Sequence, residues 1–140
     1  AEANALDDYE EGTFTPSVED SSSNVATVSS AYGYYIKIGR TCTLWLNASN
    51  IDTTGLASND LRVTNLPFTA ANVTGTIYMM GSCAITNCSS TNDLSPVIID
   101  NNAHIRFLER VPNNVNDFIL VSEITSGTSS IFATVTYYTA

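Results

Sequence analysis

Charged side chains are scarce in this sequence, and basic ones are the scarcest. Only 14% of the 140 residues are charged, against about a quarter in an average soluble domain. Five basic residues stand against 14 acidic ones and leave a net charge of −9, which excludes the basic surface that nucleic-acid binding requires. No apolar run approaches the roughly 18 residues of a membrane span, so we predict no membrane insertion. The N-terminus lacks a signal-peptide pattern and an initiator Met, and we interpret the chain as a piece excised from a longer protein.

Residue types that build catalytic and metal sites are also few. The cysteines are Cys42, Cys83 and Cys88, and an odd number argues against a disulfide framework. Cys83 and Cys88 are close enough in sequence to bridge a loop, although reduced thiols are the simpler interpretation. His104 is the lone histidine, and no serine has the nucleophile-elbow pattern of a hydrolase triad. We therefore predict no catalytic residue, no metal site and no cofactor.

Hydroxyl and amide side chains on an apolar framework are what the chain has in abundance. It contains 18 Thr, 16 Ser and 14 Asn, together 48 of 140 residues, and 44% of its residues are hydrophobic. Short apolar runs alternate with turn signals at the close spacing that is typical of a β-sandwich or barrel. The sequence thus predicts an all-β fold, a jelly-roll-like β-sandwich of about eight to ten strands.

The clearest hairpin pairs Tyr34–Ile38 with Thr41–Ala48. In its second strand, alternation points Leu44 and Leu46 inward and Trp45 to the other face of the sheet, and in its first strand we predict Tyr34 in the core. A short helix within Ala3–Glu11 is the one helical alternative. Further strands are predicted at Thr13–Val18, Val73–Met80, Ser82–Thr86, Ala103–Leu108 and Ile131–Tyr138, with Gly81 splitting the second from the third.

Acidic residues crowd the start of the chain. Half of them fall within the first 20 residues, where no basic residue occurs. We divide the chain into an acidic lead-in, residues 1–12, and a single domain, residues 13–140. The carboxylates at positions 7, 8, 10 and 11 repel one another unless they cap backbone donors, pair with arginine or bind a cation. The arginines that could serve are Arg40, Arg62, Arg106 and Arg110.

Several motifs resemble a known family. Residues 5–16 read Ala-Leu-Asp-Asp-Tyr-Glu-Glu-Gly-Thr-Phe-Thr-Pro, which is similar to the opening of a domain near the C-terminus of many bacteriophage tail fibre and tailspike proteins. Tyr32–Gly39 resembles that family's Tyr-Gly-x-Tyr-x-Lys-Ile-Gly segment, and Leu66–Val73 contains its Leu-Pro-Phe element. Ile131–Ala140 resembles its terminal strand.

The resemblance implies a homotrimer at the distal end of a virion tail, assembled in the bacterial cytoplasm and joined to an upstream fibre shaft. Under this interpretation the chain is a non-enzymatic receptor-binding module that attaches to a glycan on the host surface. The alternatives are a purely structural trimerisation cap and, least favoured, a polysaccharide depolymerase. The lead-in would then serve trimer or shaft docking through Asp7, Asp8, Tyr9, Glu10 and Glu11.

Candidate ligand contacts follow from the chemistry of sugars. Asn, Ser and Thr side chains hydrogen-bond sugar hydroxyls, and an aromatic ring stacks on a sugar face. The candidate loops are Asp52–Asn59, Asn87–Ser95 and Asn113–Asn116. We interpret Trp45 first as an anchor between subunits or a member of a second core layer, and alternatively as a glycan platform. The candidate ligand-binding residues are Trp45, Tyr35, Asn87, Asn92, Asn113 and Asn114.

Overall fold

The computed structural model describes residues 8–112 and 117–140, and these confirm the all-β prediction. Ten strands and one short 3-10 helix, Val121–Glu123, account for the regular structure of the described residues. The strands are β1 (Tyr9–Phe14), β2 (Ser17–Asp20), β3 (Ser30–Ile38), β4 (Thr41–Ile51), β5 (Leu61–Thr64), β6 (Tyr78–Ile85), β7 (Asp93–Ile99), β8 (Ile105–Arg110), β9 (Asp117–Phe118) and β10 (Ser129–Tyr138).

The strands form one curled antiparallel sheet in the order β1-β3-β4-β10-β6-β7-β8-β5-β2, with β9 beside β8. The strands β1, β3, β4, β10 and β6 make one layer, which we call sheet A. The strands β6, β7, β8, β5 and β2 make the second layer, sheet B, so β6 belongs to both. The inner faces of both layers supply a common core that includes Leu44, Phe107 and Tyr137. Burial of these apolar side chains is the main term that stabilises the fold.

The predicted hairpin is confirmed as β3 and β4, but one of its faces is reversed. Leu44 and Leu46 are buried as expected, and Trp45 is exposed. Tyr34, which we predicted in the core, lies directly opposite Trp45 on the outer face, whereas Tyr35 lies opposite Leu44. Alternation sorts the side chains of a strand into two sets, but pairing with β4 decides which set meets the core.

Two of the predicted strand boundaries are wrong. The expected strand Thr13–Val18 is divided between β1 in sheet A and β2 in sheet B, because the chain crosses between the layers at Thr15–Pro16. Proline lacks an N–H for a ladder and accordingly marks the break. The helix considered for Ala3–Glu11 is replaced by strand at Tyr9–Glu11, and Ala3–Asp7 lie outside the described residues.

Gly81 does not split two strands as predicted; it lies inside β6. The segment Tyr78–Met80 pairs with β7, and Gly81–Ile85 pairs with β10, so β6 joins the two layers. Glycine is required because a Cβ at this position would lie 1.9 Å from the carbonyl oxygen of Thr134. The backbone of β10 therefore approaches β6 as closely as only glycine allows.

Candidate functional site

Two of the three candidate loops meet at one end of the molecule. The loop after β4 and the loop after β6 both contact residues 125–130, the segment that leads into β10 and includes its first two residues. The Thr53 amide donates to the Ser126 hydroxyl at 2.9 Å, and the Thr125 amide donates to the Asn87 carbonyl at 3.0 Å. We call this group of loops, residues 52–59, 86–92 and 125–130, the loop end.

The first described strand begins, and the last one ends, at the opposite end of sheet A. Tyr9, the first residue of β1, pairs with Ile38, whereas the loop end lies beyond Ser30 at the other end of β3. The Thr139 amide donates to the Arg40 carbonyl at 2.8 Å, so the last described strand also finishes beside the β3–β4 turn. Ser30 and Ile38 are eight steps apart along the extended strand β3, a distance of about 26 Å.

The amides of Asn87 and Asn92 are engaged within the protein. Asn87 donates its side-chain N–H to the Thr128 carbonyl at 3.0 Å, and its backbone is in the left-handed region with φ of 51°. Asn92 donates to the Glu109 carboxylate at 2.8 Å, and the Ser90 hydroxyl donates to the same oxygen. These two residues thus shape the loop after β6. The exposed hydroxyls of that loop come from neighbours such as Ser89.

A buried carboxylate organises the adjoining loops. Asp20 accepts hydrogen bonds from the backbone amides of Ser22 (2.7 Å), Asn24 (3.0 Å) and Ala57 (2.7 Å) and from the Asn24 side chain (2.6 Å). Burial by itself raises the pKa of Asp20, but these donors outweigh it and lower the pKa to about 2. Asp20 therefore ties the segment after β2 to the candidate loop 52–59 as a charged group. The composition gave no signal for this role.

Tyrosine hydroxyls, rather than arginines, hold Glu10 and Glu11 of the lead-in. Glu11 accepts hydrogen bonds from Tyr9 and from Tyr34, the latter at 2.8 Å, and Glu10 accepts one from Tyr35 at 2.8 Å. The bond to Glu11 is the main cause that raises the pKa of Tyr9 to about 12, and the same bond lowers the pKa of Glu11. This network fastens β1 to β3. Asp8 lies in the turn before β1, and Asp7 lies outside the described residues.

Removal of the Glu11 charge should shift the tyrosine titration. In the variant Glu11→Gln, Tyr9 and Tyr34 lose the negative charge that disfavours their phenolates, so we expect their pKa values to fall toward 10. Ultraviolet absorbance during alkaline titration measures this as a curve displaced to lower pH. Glu19→Gln is the matched control, because Glu19 accepts from the Thr64 hydroxyl and no tyrosine. Superimposable curves for Glu11→Gln and the unmodified chain would contradict the assignment.

The outer face of sheet A carries an uncovered set of aromatic side chains. Trp45 is 43% exposed, and its ring centroid lies 6.0 Å from that of Tyr34. Phe132, also 43% exposed, sits on β10 opposite Asn47. Between Trp45 and Phe132 lies an open trough of about 370 Å³, with an apolar lining. Its lining residues are Trp45, Leu46, Ser82, Cys83, Ala84, Phe132, Ala133 and Thr134.

The remaining predicted ligand residues fall elsewhere. Tyr35 packs edge-on against Phe68, with ring centroids 5.2 Å apart, and is half-buried on the inner side of β3. Asn113 and Asn114 lie outside the described residues, as does the rest of the loop 113–116. Sequence analysis missed Phe132 as a partner of Trp45, because the two strands become neighbours only through the order of strands in sheet A.

The thiols and the histidine occupy ordinary structural positions. Cys42, Cys83 and Cys88 are all free, and burial raises the pKa of the Cys83 thiol to about 11. His104 immediately precedes β8, and burial, followed by the charges of Arg62 and Arg106, lowers its pKa. Within residues 8–112 and 117–140, no three His, Cys, Asp or Glu residues gather into a possible metal site. The same residues include no helix that is long and apolar enough to cross a membrane.

The fold is similar to that of part of a tailspike protein. The chain superimposes on the crystal structure of the Dettilon tailspike protein with a TM-score of 0.64 at 16% sequence identity. The match covers 94% of this chain and 24% of that one, so this chain spans about a quarter of the length of the tailspike. No protein-family model and no curated protein matches the sequence.

Proposed function

We propose that this chain is a receptor-binding module of a phage tail fibre or tailspike, which attaches non-covalently to a glycan on the host cell surface. The observation that carries the proposal is the position of the loop end, at the opposite end of sheet A from Tyr9 and Thr139. A shaft that continues from the N-terminal side would leave the loop end pointing outward. As a virion component the module would act in a homotrimer.

The chemistry of the loop end suits a neutral polyol. Its exposed side chains are mainly hydroxyls, and the nearby acidic groups are already engaged: Asp52 accepts from Thr54 and Ser126, and Glu109 of β8 accepts from Ser90 and Asn92. Sugar hydroxyls both donate and accept, which matches free Ser and Thr side chains. Single contacts of this kind are weak, and display of three copies would raise the overall affinity through effective concentration.

The test removes hydroxyls that the fold does not use. In a triple alanine variant at Ser89, Thr91 and Thr128, we expect binding to host cells or purified surface glycan to weaken roughly tenfold or more, because each lost hydrogen bond contributes roughly 0.5–1.5 kcal/mol. The matched control replaces Thr69, Thr74 and Thr76, which are exposed and lie outside the loop end, with alanine. Equal binding by both variants, or no binding by the unmodified chain, would refute the proposal.

A further inference from the structure

The outer face of sheet A is unusually rich in exposed apolar side chains. Of the 11 large apolar or aromatic side chains that are exposed among the described residues, seven lie together on β1, β3, β4 and β10. Tyr78 and Met80 are also exposed, but they lie on the segment of β6 that pairs with β7 in sheet B and are not included in this group. We call these seven residues the aromatic face: Tyr9, Tyr32, Tyr34, Ile38, Trp45, Phe132 and Tyr138.

The size of the aromatic face is that of a protein interface. Its members are between 38% and 61% exposed. With roughly 200 Å² for each full side chain, the seven together expose about 700 Å². The largest apolar patch on a typical monomer is roughly 300–600 Å², whereas each partner in a standard protein complex contributes about 800 Å². The aromatic face thus exceeds what a solitary domain exposes and approaches what one partner covers.

The charge distribution favours a second copy as that partner. Two copies at −9 each repel, so they can meet only where charge is sparse. Among the described strand residues of the outer face of sheet A, Glu11 is the one charged side chain, and Tyr9 and Tyr34 already donate to it. Depletion of charge with enrichment of Tyr, Trp and Phe is the composition of an interface core. Interleaved hydroxyls, such as the Thr43–Thr136 pair at 2.8 Å, supply polar contacts within it.

We propose that a second copy of this chain covers the aromatic face, with the trough between Trp45 and Phe132 receiving a side chain from the neighbouring copy. The trough is open and walled by two aromatic rings, and such a depression takes the anchoring residue of a partner. This inference does not depend on the receptor-binding role. It assigns the interface to the aromatic face and leaves the loop end free.

Solution mass tests the inference. We expect sedimentation equilibrium of the unmodified chain to give two or three times 15.0 kDa. In Trp45→Glu and in Phe132→Glu, the added charge falls inside the interface, so we expect the dissociation constant to rise roughly 100-fold or more. The matched control is Val25→Glu, since Val25 is 61% exposed and lies outside the aromatic face. Circular dichroism of each variant confirms that it remains folded.

Trp45 provides an independent readout, because it is the single tryptophan of the chain. In the assembled protein its fluorescence should be shielded from an added quencher, and dilution to the monomer should expose it. A monomer at all concentrations overturns the inference, as does an oligomer that both glutamate variants leave intact. Protection of Trp45 by host glycan in a monomer also overturns it, and assigns the face to sugar stacking instead. Binding to host cells is scored separately with the loop-end variants, so failure of one proposal does not obscure the other.

Discussion

Replacement of Gly81 by alanine should leave most of the chain unfolded. The new Cβ would lie 1.9 Å from the Thr134 carbonyl oxygen and 2.9 Å from the Thr134 carbonyl carbon, both backbone atoms that cannot rotate away. Relief of this clash requires β6 to move off β10, and β6 is the strand that joins sheets A and B. We expect a cost of about 4 kcal/mol or more, which is a large share of the roughly 5–15 kcal/mol that stabilises a domain.

Chemical denaturation followed by circular dichroism measures this loss. Gly75→Asn is the matched control, because nothing lies within 4 Å of a Cβ at Gly75 and its φ of +90° is one that asparagine tolerates better than most residues. A Gly81→Ala protein with the unfolding midpoint of the unmodified chain would show that β6 and β10 do not approach as closely as described.

Replacement of Asp20 by asparagine should produce the second large effect. Four donors converge on this buried carboxylate, and an amide brings one acceptor oxygen together with an N–H group that has nothing to donate to. We expect Asp20→Asn to lower the melting temperature more than any other carboxylate-to-amide change in the described residues. Detachment of Ala57 should also loosen the loop 52–59, which hydrogen-exchange measurements would detect.

The pH dependence of stability separates the charge of Asp20 from its shape. Because its pKa is lowered from 3.8 to about 2 in the folded protein, its contribution is complete above pH 3.8 and is lost as the pH falls toward about 2. The unmodified chain should therefore lose stability in that interval, and Asp20→Asn should lose less. Asp93→Asn is the control, since Asp93 is exposed. Parallel acid profiles for Asp20→Asn and the unmodified chain would contradict the assignment.

Much of the fold could be predicted from local patterns. The β3–β4 hairpin followed from alternation on both sides of Gly39-Arg40, and the inward set Cys42, Leu44 and Leu46 was assigned correctly. Tyr34 was assigned wrongly because its face follows from its register opposite Trp45 across the hairpin, and Gly81 because its partner strand β10 is distant in sequence. Alternation is a property of one strand, but the face that meets the core depends on pairing.

Less of the candidate site could be predicted. Polar loops were correctly picked out as regions of interest, and the structure joins two of them through residues 125–130. The engagement of Asn87 and Asn92 inside the protein could not be foreseen, because an amide looks the same in sequence whether its partner is a sugar or a carbonyl oxygen. The trough between Trp45 and Phe132 likewise brings together residues that are 87 positions apart in sequence.

The sequence by itself determined the class of fold, the absence of a basic surface and the outward orientation of Trp45, because composition and the two-residue period of a strand are local quantities. Only the tertiary structure decided that exposed apolar side chains from four strands lie on one face of sheet A, and that the loop end lies opposite Tyr9 and Thr139. Both depend on strand order, which is set by packing between residues far apart along the chain.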